Sequence, residues 1–222
     1  MGDFTSRRWA VVGLLAVALG GCTTSGGDHT ASGASGSASS TTGAGGTTAP
    51  GPILTVAQGR SLAHDPALVG SAQLTENPVN PVRARMAQYG ECQDYYRQVD
   101  AHYSAIWGGQ LSPSGATDQG GSMTIGLLDD PGMADRLESA FEPCRQRMVA
   151  LGILAPSEPP EKGQSGQLRW TRVTVTGARP AANLTILYGN LVVTRSRVGS
   201  TDLPLEPFLG TVAAAVDRAA LL

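Results

Sequence analysis

The chain has 222 residues and nearly balanced charge, with 16 Lys and Arg against 18 Asp and Glu and a formal net charge of −2 at pH 7. This length suits one domain of ordinary size with appendages. Neutralising nucleic-acid phosphates takes clustered cations, and the chain has no run of Lys or Arg, so the composition argues against nucleic acid as a partner. The same observation argues against peripheral binding to anionic lipid.

The first 21 residues have the pattern of an export signal. Arg7 and Arg8 precede an uncharged apolar stretch over residues 9–19. That stretch is too short for a bilayer core, which needs about 20 apolar residues, but it is typical of a signal peptide. A buried N-terminal helix is the alternative. The paired arginines leave the general secretory and twin-arginine routes open, and Ala10 favours the first because the twin-arginine motif usually has a larger apolar residue there.

Directly after this stretch, Leu19-Gly20-Gly21-Cys22 resembles the bacterial lipobox, which is an aliphatic residue, two small residues and a cysteine. The resemblance implies that Cys22 is thioether-linked to diacylglycerol and becomes the first residue of the mature protein. We therefore predict a signal peptide over residues 1–21 and lipidation at Cys22. The protein would then be a lipoprotein on the extracytoplasmic side of the cell membrane.

Residues 22–52 are rich in Gly, Ser and Thr, and after Cys22 they contain no aliphatic residue larger than alanine. Such a segment cannot bury enough apolar surface to offset its conformational entropy, so we predict a disordered tether. A flexible coil of this length spans about 30 Å on average. The tether would let a folded head stand off the membrane.

Residues 53–107 mix weak and strong signals. Ile53–Ala57 predicts a short strand or an ordered entry segment, and residues 59–81, rich in turn formers, are expected to be mostly irregular. A helix is predicted over Glu91–Trp107, because apolar residues recur there every three or four positions. The glycine pair at 108–109 is expected to end it.

A polar loop is predicted over residues 110–121, followed by a strand over Ser122–Leu128. Asp129-Asp130-Pro131 is typical of an N-cap with proline in the first turn, and it predicts the start of a second helix. One face of that helix would be apolar, with Met133, Leu137, Phe141, Cys144 and Met148.

The last third predicts β-strands and a closing helix. Leu168–Thr176 and Leu184–Arg197 are strand-like, with Gly189-Asn190 as a hairpin turn in the second stretch. Leu205–Leu221 is an amphipathic helix. Because helices and strands do not alternate strictly, we predict that residues 53–222 form a single α+β domain, an antiparallel sheet with helices packed on one face.

With Cys22 assigned to lipid, Cys92 and Cys144 remain. An even pair in an exported protein predicts a disulfide, which would join the two predicted helices. Closing a 53-residue loop is worth about 4 kcal/mol in the chain-entropy model. Two buried free thiols are the alternative.

The segment Asn183–Thr194, followed by the closing helix, resembles small actinobacterial cell-envelope lipoproteins and the extracellular sensor domains of mycobacterial receptor serine/threonine kinases. The resemblance covers the last 40 residues. It implies a disulfide-bonded α+β head with a sensor-like role. The second disulfide that is usual in those sensor domains is missing here.

Sequence motifs for catalysis are missing as well. The chain has no His-x-His, Glu-x-x-His or Cys-x-x-Cys for zinc and no Gly-x-Ser-x-Gly elbow, so we predict neither a metal nor a cofactor. The head has only His64 and His102. Asp129 and Asp130 are adjacent and point in different directions, which argues against a glycosidase pair.

Several aromatic residues lie on the predicted helix over Glu91–Trp107. We take Tyr95, His102, Tyr103 and Trp107 as candidate ligand-binding residues, because aromatic rings can stack on a sugar or an acyl chain. Core packing is the alternative for Tyr96 and Tyr103. Trp107 would line a pocket mouth.

Two functional classes remain. The first is a non-catalytic head that binds an envelope lipid, glycan or protein partner. The second is a surface hydrolase whose site no motif reveals. The missing acid–base set favours the first, so we expect no enzymatic activity. A polar cleft that gathers His64 or His102 with carboxylates would favour the second. The oligomeric state is left open.

Overall fold

The computed structural model describes residues 51–70, 72–77, 83, 86–112, 120–152, 154–176 and 180–221. The predicted signal peptide, Cys22 and nearly all of the tether lie outside the described residues and remain predictions. Within the described ranges, no helix is long and apolar enough to cross a membrane.

Seven strands form one antiparallel sheet in the order β1-β2-β3-β7-β6-β5-β4. The strands are β1 (Thr75–Glu76), β2 (Tyr103–Leu111), β3 (Gly121–Leu128), β4 (Glu161–Ser165), β5 (Leu168–Val175), β6 (Ala181–Tyr188) and β7 (Leu191–Val198). The helices are α1 (Val56–Ala63), α2 (Pro66–Val69), α3 (Gly90–His102), α4 (Met133–Ala150) and α5 (Leu205–Ala219). The predicted α+β class with an antiparallel sheet is confirmed.

The helices occupy both faces of the sheet rather than the single face predicted. Side chains alternate along each strand, so neighbouring residues enter different cores. On what we call the first face, Leu127 and Val193 pack in a core with residues of α1, α2 and α5. On the second face, Leu128 and Val192 pack with residues of α3 and α4. The central strands of the sheet are therefore buried between two helical layers.

The last third follows the prediction closely. Strands β5, β6 and β7 and helix α5 lie where the pattern placed them, within a few residues at their ends. Gly189 and Asn190 form the predicted hairpin turn, with Gly189 at φ 60°, a conformation that favours glycine. Strand β4, which is short, polar and mostly exposed, was not predicted.

In residues 53–77, the predicted strand is wrong, while its alternative, an ordered entry segment, describes residues 53–55. Val56 begins helix α1 instead of continuing a strand, because Thr55 and Gln58 form a capping box that satisfies both backbone amides. The stretch after it is also more regular than expected. Asp65 caps α2 by accepting a hydrogen bond from the Ala67 amide, and β1 follows.

The helix predicted over Glu91–Trp107 ends at His102, and Tyr103 begins strand β2. Apolar residues at 103, 106 and 107 fit a helical period, but the segment pairs with β3 along its length. The glycine pair at 108–109 lies inside the strand instead of ending a helix. Gly109 is needed there, because a Cβ atom would lie 2.3 Å from the Gln73 carbonyl oxygen. Of the predicted loop over 110–121, residues 113–119 lie outside the described residues.

Strand β3 and helix α4 confirm the next two predictions, with one shift. The Asp130 carboxylate accepts a hydrogen bond from the Gly132 amide, and the helix begins two residues after Pro131, at Met133. Asp130 therefore stabilises a turn that precedes the helix and is not the N-cap that the sequence predicted. The predicted apolar face is buried: Met133, Leu137, Phe141, Cys144 and Met148.

Candidate functional site

Of the predicted ligand-binding residues, Tyr95 lies in the core of the second face, and Tyr103 is half-buried and packs against that core. The Tyr95 ring centroid is 5.2 Å from that of Tyr96 and 4.8 Å from that of Phe141 on α4. Tyr103 lies over Gly126 of β3, so closely that a Cβ atom added to Gly126 would be 2.4 Å from the Tyr103 ring. We call Tyr95, Tyr96, Tyr103 and Phe141 the aromatic cluster. It joins α3, α4 and the sheet.

Burial disfavours the ionised form of the three tyrosines. It raises the pKa of Tyr95 far above its ordinary value, with a further rise from Tyr103 and Tyr96, and it raises the pKa of Tyr103. Burial also raises the pKa of Tyr96 to about 12, although the Arg83 guanidinium over its ring opposes the change. The core alternative describes Tyr96, which is buried, whereas Tyr103 is half-buried against the core.

Trp107 lies on the opposite face from the tyrosines. It is 1 % exposed and packs in the first-face core against Gly59 of α1, where a Cβ atom would come within 3 Å of the indole. The predicted position at a pocket mouth rested on a helix that ends at Trp107, and the strand places the ring in the core instead. The four candidate residues therefore do not share one surface.

His102 lies at the C-terminal end of α3, where its Nδ1 atom is 3.2 Å from a carboxylate oxygen of Asp129. The Asp129 amide donates to the His102 carbonyl, so two contacts join the residues. Both side chains are partly exposed, 32 % for His102 and 50 % for Asp129. His64 lies elsewhere, with Nδ1 2.8 Å from the Arg60 carbonyl oxygen. The structure thus joins one predicted histidine to a carboxylate, at the surface.

The disulfide expected from the sequence is present between Cys92 on α3 and Cys144 on α4, with Cα atoms 4.6 Å apart. Both residues are fully buried beside the aromatic cluster. The bond fastens the two helices of the second face to each other, as the cysteine pair predicted.

Asn190 has a role that the sequence did not reveal. Its side chain is buried, accepts a hydrogen bond from the Leu54 amide at 2.8 Å, and donates to the carbonyls of Leu54 and Leu128 at 3.0 and 3.2 Å. We call this arrangement the asparagine clamp. It fastens the chain entering the head to the β6–β7 turn and to the end of β3. In the sequence, Asn190 is simply the Asn of a Gly-Asn turn. Because Asn is a common residue in hairpin turns, its position indicated no further role.

A row of threonines on the second face was also missed. Thr171, Thr185, Thr194 and Thr124 are opposite one another on β5, β6, β7 and β3. The hydroxyls of Thr185 and Thr194 are 3.4 Å apart. Such cross-strand pairs stabilise a sheet. Each threonine is an ordinary strand residue in the sequence, and the row exists only once the strand register is known.

Within the described residues, no group of three or more His, Cys, Asp or Glu side chains could hold a metal ion. The two adjacent carboxylates considered for a glycosidase have separate partners. Asp129 pairs with His102, and Asp130 accepts a hydrogen bond from the Gly132 amide.

No protein-family model matches the chain, and no curated protein matches it. Among solved structures, the chain is similar to the extracellular domain of PknH from Mycobacterium tuberculosis, with a TM-score of 0.36 and 13 % identity. The match covers 77 % of this chain and 93 % of that domain. This is a weak structural similarity, and it assigns neither an activity nor a ligand.

Proposed function

We propose that the chain is an exported, lipid-anchored protein whose head binds an envelope component and does not convert it. The observation that carries the proposal is the buried disulfide between Cys92 and Cys144. Disulfides persist in oxidising compartments outside the cytoplasm and are rare within it. The lipobox ending at Cys22 supplies the anchoring signal.

The asparagine clamp supports a head that hangs on a tether. The Asn190 side chain fastens the entering chain at Leu54, and the backbone amide of Asn190 donates to the Pro52 carbonyl at 3.4 Å. Gly51 and Gly189 pack closely, since a Cβ atom on Gly51 would lie 2.5 Å from the Gly189 nitrogen. A pull on the tether would therefore act first on the β6–β7 turn, to which the entering chain is fastened, and only then on the core.

Binding is favoured over catalysis because two of the candidate acid–base groups are engaged in structural contacts. His64 bonds to a backbone carbonyl, and Asp130 holds the turn before α4. The aromatic side chains that the sequence singled out pack in or against two separate cores. A ligand would accordingly meet the outer surface of the head, in the manner of a sensor or adaptor domain.

Exchange of the anchoring cysteine tests the proposal. In cells expressing the full chain, we expect the wild type in the membrane fraction and cleavable by protease added outside intact cells. Cys22→Ser should leave the head folded and release it from the membrane or leave the signal peptide uncleaved. Thr23→Ser is the matched control, since it changes the neighbouring residue, keeps Cys22 and should keep the membrane location. A wild-type chain in the cytoplasm with free thiols would contradict the proposal.

A surface hydrolase is the second candidate, and the His102–Asp129 pair is the observation that favours it. A carboxylate that orients a histidine is part of many acid–base sites. We expect no turnover of ester, glycoside or phosphoester reporters above background, and no difference between His102→Ala and the control His64→Ala. Turnover that His102→Ala abolishes and His64→Ala preserves would establish the hydrolase instead.

A further inference from the structure

Two half-buried aromatic residues, Trp170 on β5 and Tyr188 on β6, lie on the first face of the sheet. Trp170 is opposite Ile186, which belongs to the first-face core, and Tyr188 follows Ile186 by two residues along β6. Because residues two apart on a strand share a face, Trp170 and Tyr188 are diagonal neighbours, a spacing within reach of aromatic side chains. Both rings pack against the first-face core. We call Trp170 and Tyr188 the aromatic platform.

The Trp170 ring lies at the edge of the sheet, over a strand that leaves room for it. Trp170 is opposite Gly163 of β4, the last strand of the sheet. A Cβ atom on Gly163 would be 2.4 Å from the indole, so a side chain at this position would displace the ring. Glu161 and Ser165 flank Gly163 on the same face, and both are exposed. The indole therefore rests on the β4 backbone between two polar side chains.

Both members of the platform have a polar group that faces water. Within the part of the chain that the structure describes, neither the indole N–H of Trp170 nor the hydroxyl of Tyr188 has a hydrogen-bond partner. Neither atom is among the buried polar atoms that lack a partner, whereas Trp107 Nε1 and the Tyr96 hydroxyl are. The platform thus differs from the aromatic residues of the two cores, because its N–H and O–H groups are open to a ligand from solvent.

The chemistry of the platform fits a sugar. A pyranose ring has an apolar C–H face that can stack on an aromatic ring and a rim of hydroxyl groups that donate and accept hydrogen bonds. Trp170 and Tyr188 supply donors, and the Glu161 carboxylate, 64 % exposed, supplies acceptor oxygens. Glu161 is 3.7 Å from Arg172, and this pair has no net charge, which favours a neutral ligand. An acyl chain would cover the donors without pairing them, which costs free energy.

We propose that the aromatic platform binds a neutral glycan of the envelope, with one pyranose ring stacked on Trp170 and the adjoining rings hydrogen-bonded to Tyr188 and Glu161. The proposal rests on the proposed function and names the class of ligand. Tyr188, Trp170 and Glu161 lie on one diagonal across β6, β5 and β4, which suits a short chain of sugar rings. The Tyr188 ring borders the entering chain, since a Cβ atom on Gly51 would be 3.1 Å from it. The site therefore lies between the β4 edge and the point where the chain enters the head.

Isothermal titration calorimetry of the purified full chain with neutral trisaccharides of N-acetylglucosamine, mannose, glucose and galactose tests this site. We expect saturable binding of at least one of them. Trp170→Ala should weaken that binding about tenfold, because it removes the stacking ring, and Tyr188→Phe about threefold, because it removes one hydrogen bond to the ligand. Tyr89→Phe is the matched control, since Tyr89 is also half-buried but packs against the second-face core.

The outcomes separate the possible errors. If no trisaccharide binds saturably, or if Trp170→Ala and Tyr188→Phe both leave binding unchanged, the site is overturned. If Trp170→Ala lowers the unfolding midpoint, Tyr188→Phe and Gly163→Ala, which would push the indole off β4, still decide the question. Saturable binding of lauric acid that needs Trp170, without binding of any trisaccharide, overturns the choice of a glycan. A failed lipid anchor would leave the titration unchanged and would be recognised separately, by membrane fractionation.

Discussion

The two faces of the sheet are closed in different ways. On the second face, α3 and α4 are joined covalently by the Cys92–Cys144 disulfide, with the aromatic cluster beneath them. On the first face, α1 and α2 come from the start of the head and α5 from its end, and noncovalent contacts alone join them within the described residues. The second layer therefore depends on the redox state of the compartment, and the first layer depends on how the chain ends are fastened.

Removing the disulfide is expected to have the largest effect. Replacing both Cys92 and Cys144 by alanine should lower the free energy of unfolding by about 4 kcal/mol, because the unfolded chain regains the freedom of a long loop. Denaturant unfolding under non-reducing conditions measures the change. Cys22→Ala is the control and should have no effect on the head. A loss below about 1 kcal/mol would mean that packing of the aromatic cluster, and not the bond, closes the second face.

The asparagine clamp is expected to come next. Asn190→Ala removes three buried hydrogen bonds and leaves backbone groups of Leu54 and Leu128 without a partner, so we expect a loss of about 2–4 kcal/mol. Limited proteolysis should also show earlier cleavage near residue 54. Asn183→Ala, at a half-buried position on β6, is the comparison and should cost much less. Equal effects of the two substitutions would contradict the clamp.

A pair of glycine substitutions sharpens the account of packing, because opposite signs are expected. Gly126→Ala would place a Cβ atom 2.4 Å from the Tyr103 ring, and overpacking of this kind costs about 1–3 kcal/mol. Gly210→Ala, within α5, meets open space and should stabilise the head by about 0.5–1 kcal/mol. Thermal unfolding of both variants checks the prediction. Stabilisation by Gly126→Ala would show that Tyr103 does not lie over β3.

The smallest expected effect concerns the ion pair between α2 and α5. Burial pushes the pKa of Asp65 upward, but Arg218 and the amides of Ala67 and Leu68 outweigh it and hold the pKa below its ordinary value. A lowered carboxyl pKa contributes stability above the unfolded pKa, about 3.9, that is lost as pH falls through the folded value.

Arg218→Gln should therefore cost about 1 kcal/mol at neutral pH, since the half-exposed Arg218 leaves the pair screened by water, and the cost should shrink in acid. Urea unfolding at neutral pH and near pH 3 measures both values. A cost that grows toward acid would have the wrong sign for this pair.

The sequence predicted secondary structure best where the residue pattern fits only a strand or only a helix. Residues 184–197 are rich in Val, Ile, Leu and Thr on both sides of a Gly-Asn turn, and residues 133–148 repeat their apolar side chains every three or four positions. Both segments fold as expected. The prediction failed between Tyr103 and Trp107, where the apolar spacing suits a helix and pairing with β3 decides for a strand. Local propensity is a weak guide when tertiary pairing competes with it.

The candidate sites were less predictable than the fold, because they depend on strand register. Trp107 lies on the opposite face from Tyr95 and Tyr103, because its segment is a strand and not the predicted helix. Trp170 and Tyr188 lie on different strands, and only the pairing of β5 with β6 brings them together. The cysteine pair was predictable, since it needed an even count and an export signal but no register.

The most direct test of the account is the intact mass of the chain extracted from membranes, measured before and after reduction and alkylation. We predict a mature protein that starts at Cys22 and carries diacylglycerol, with Cys92 and Cys144 alkylated only after reduction. An unacylated chain would contradict the lipid anchor. Alkylation of Cys92 and Cys144 without reductant would contradict the covalent closure of the second face.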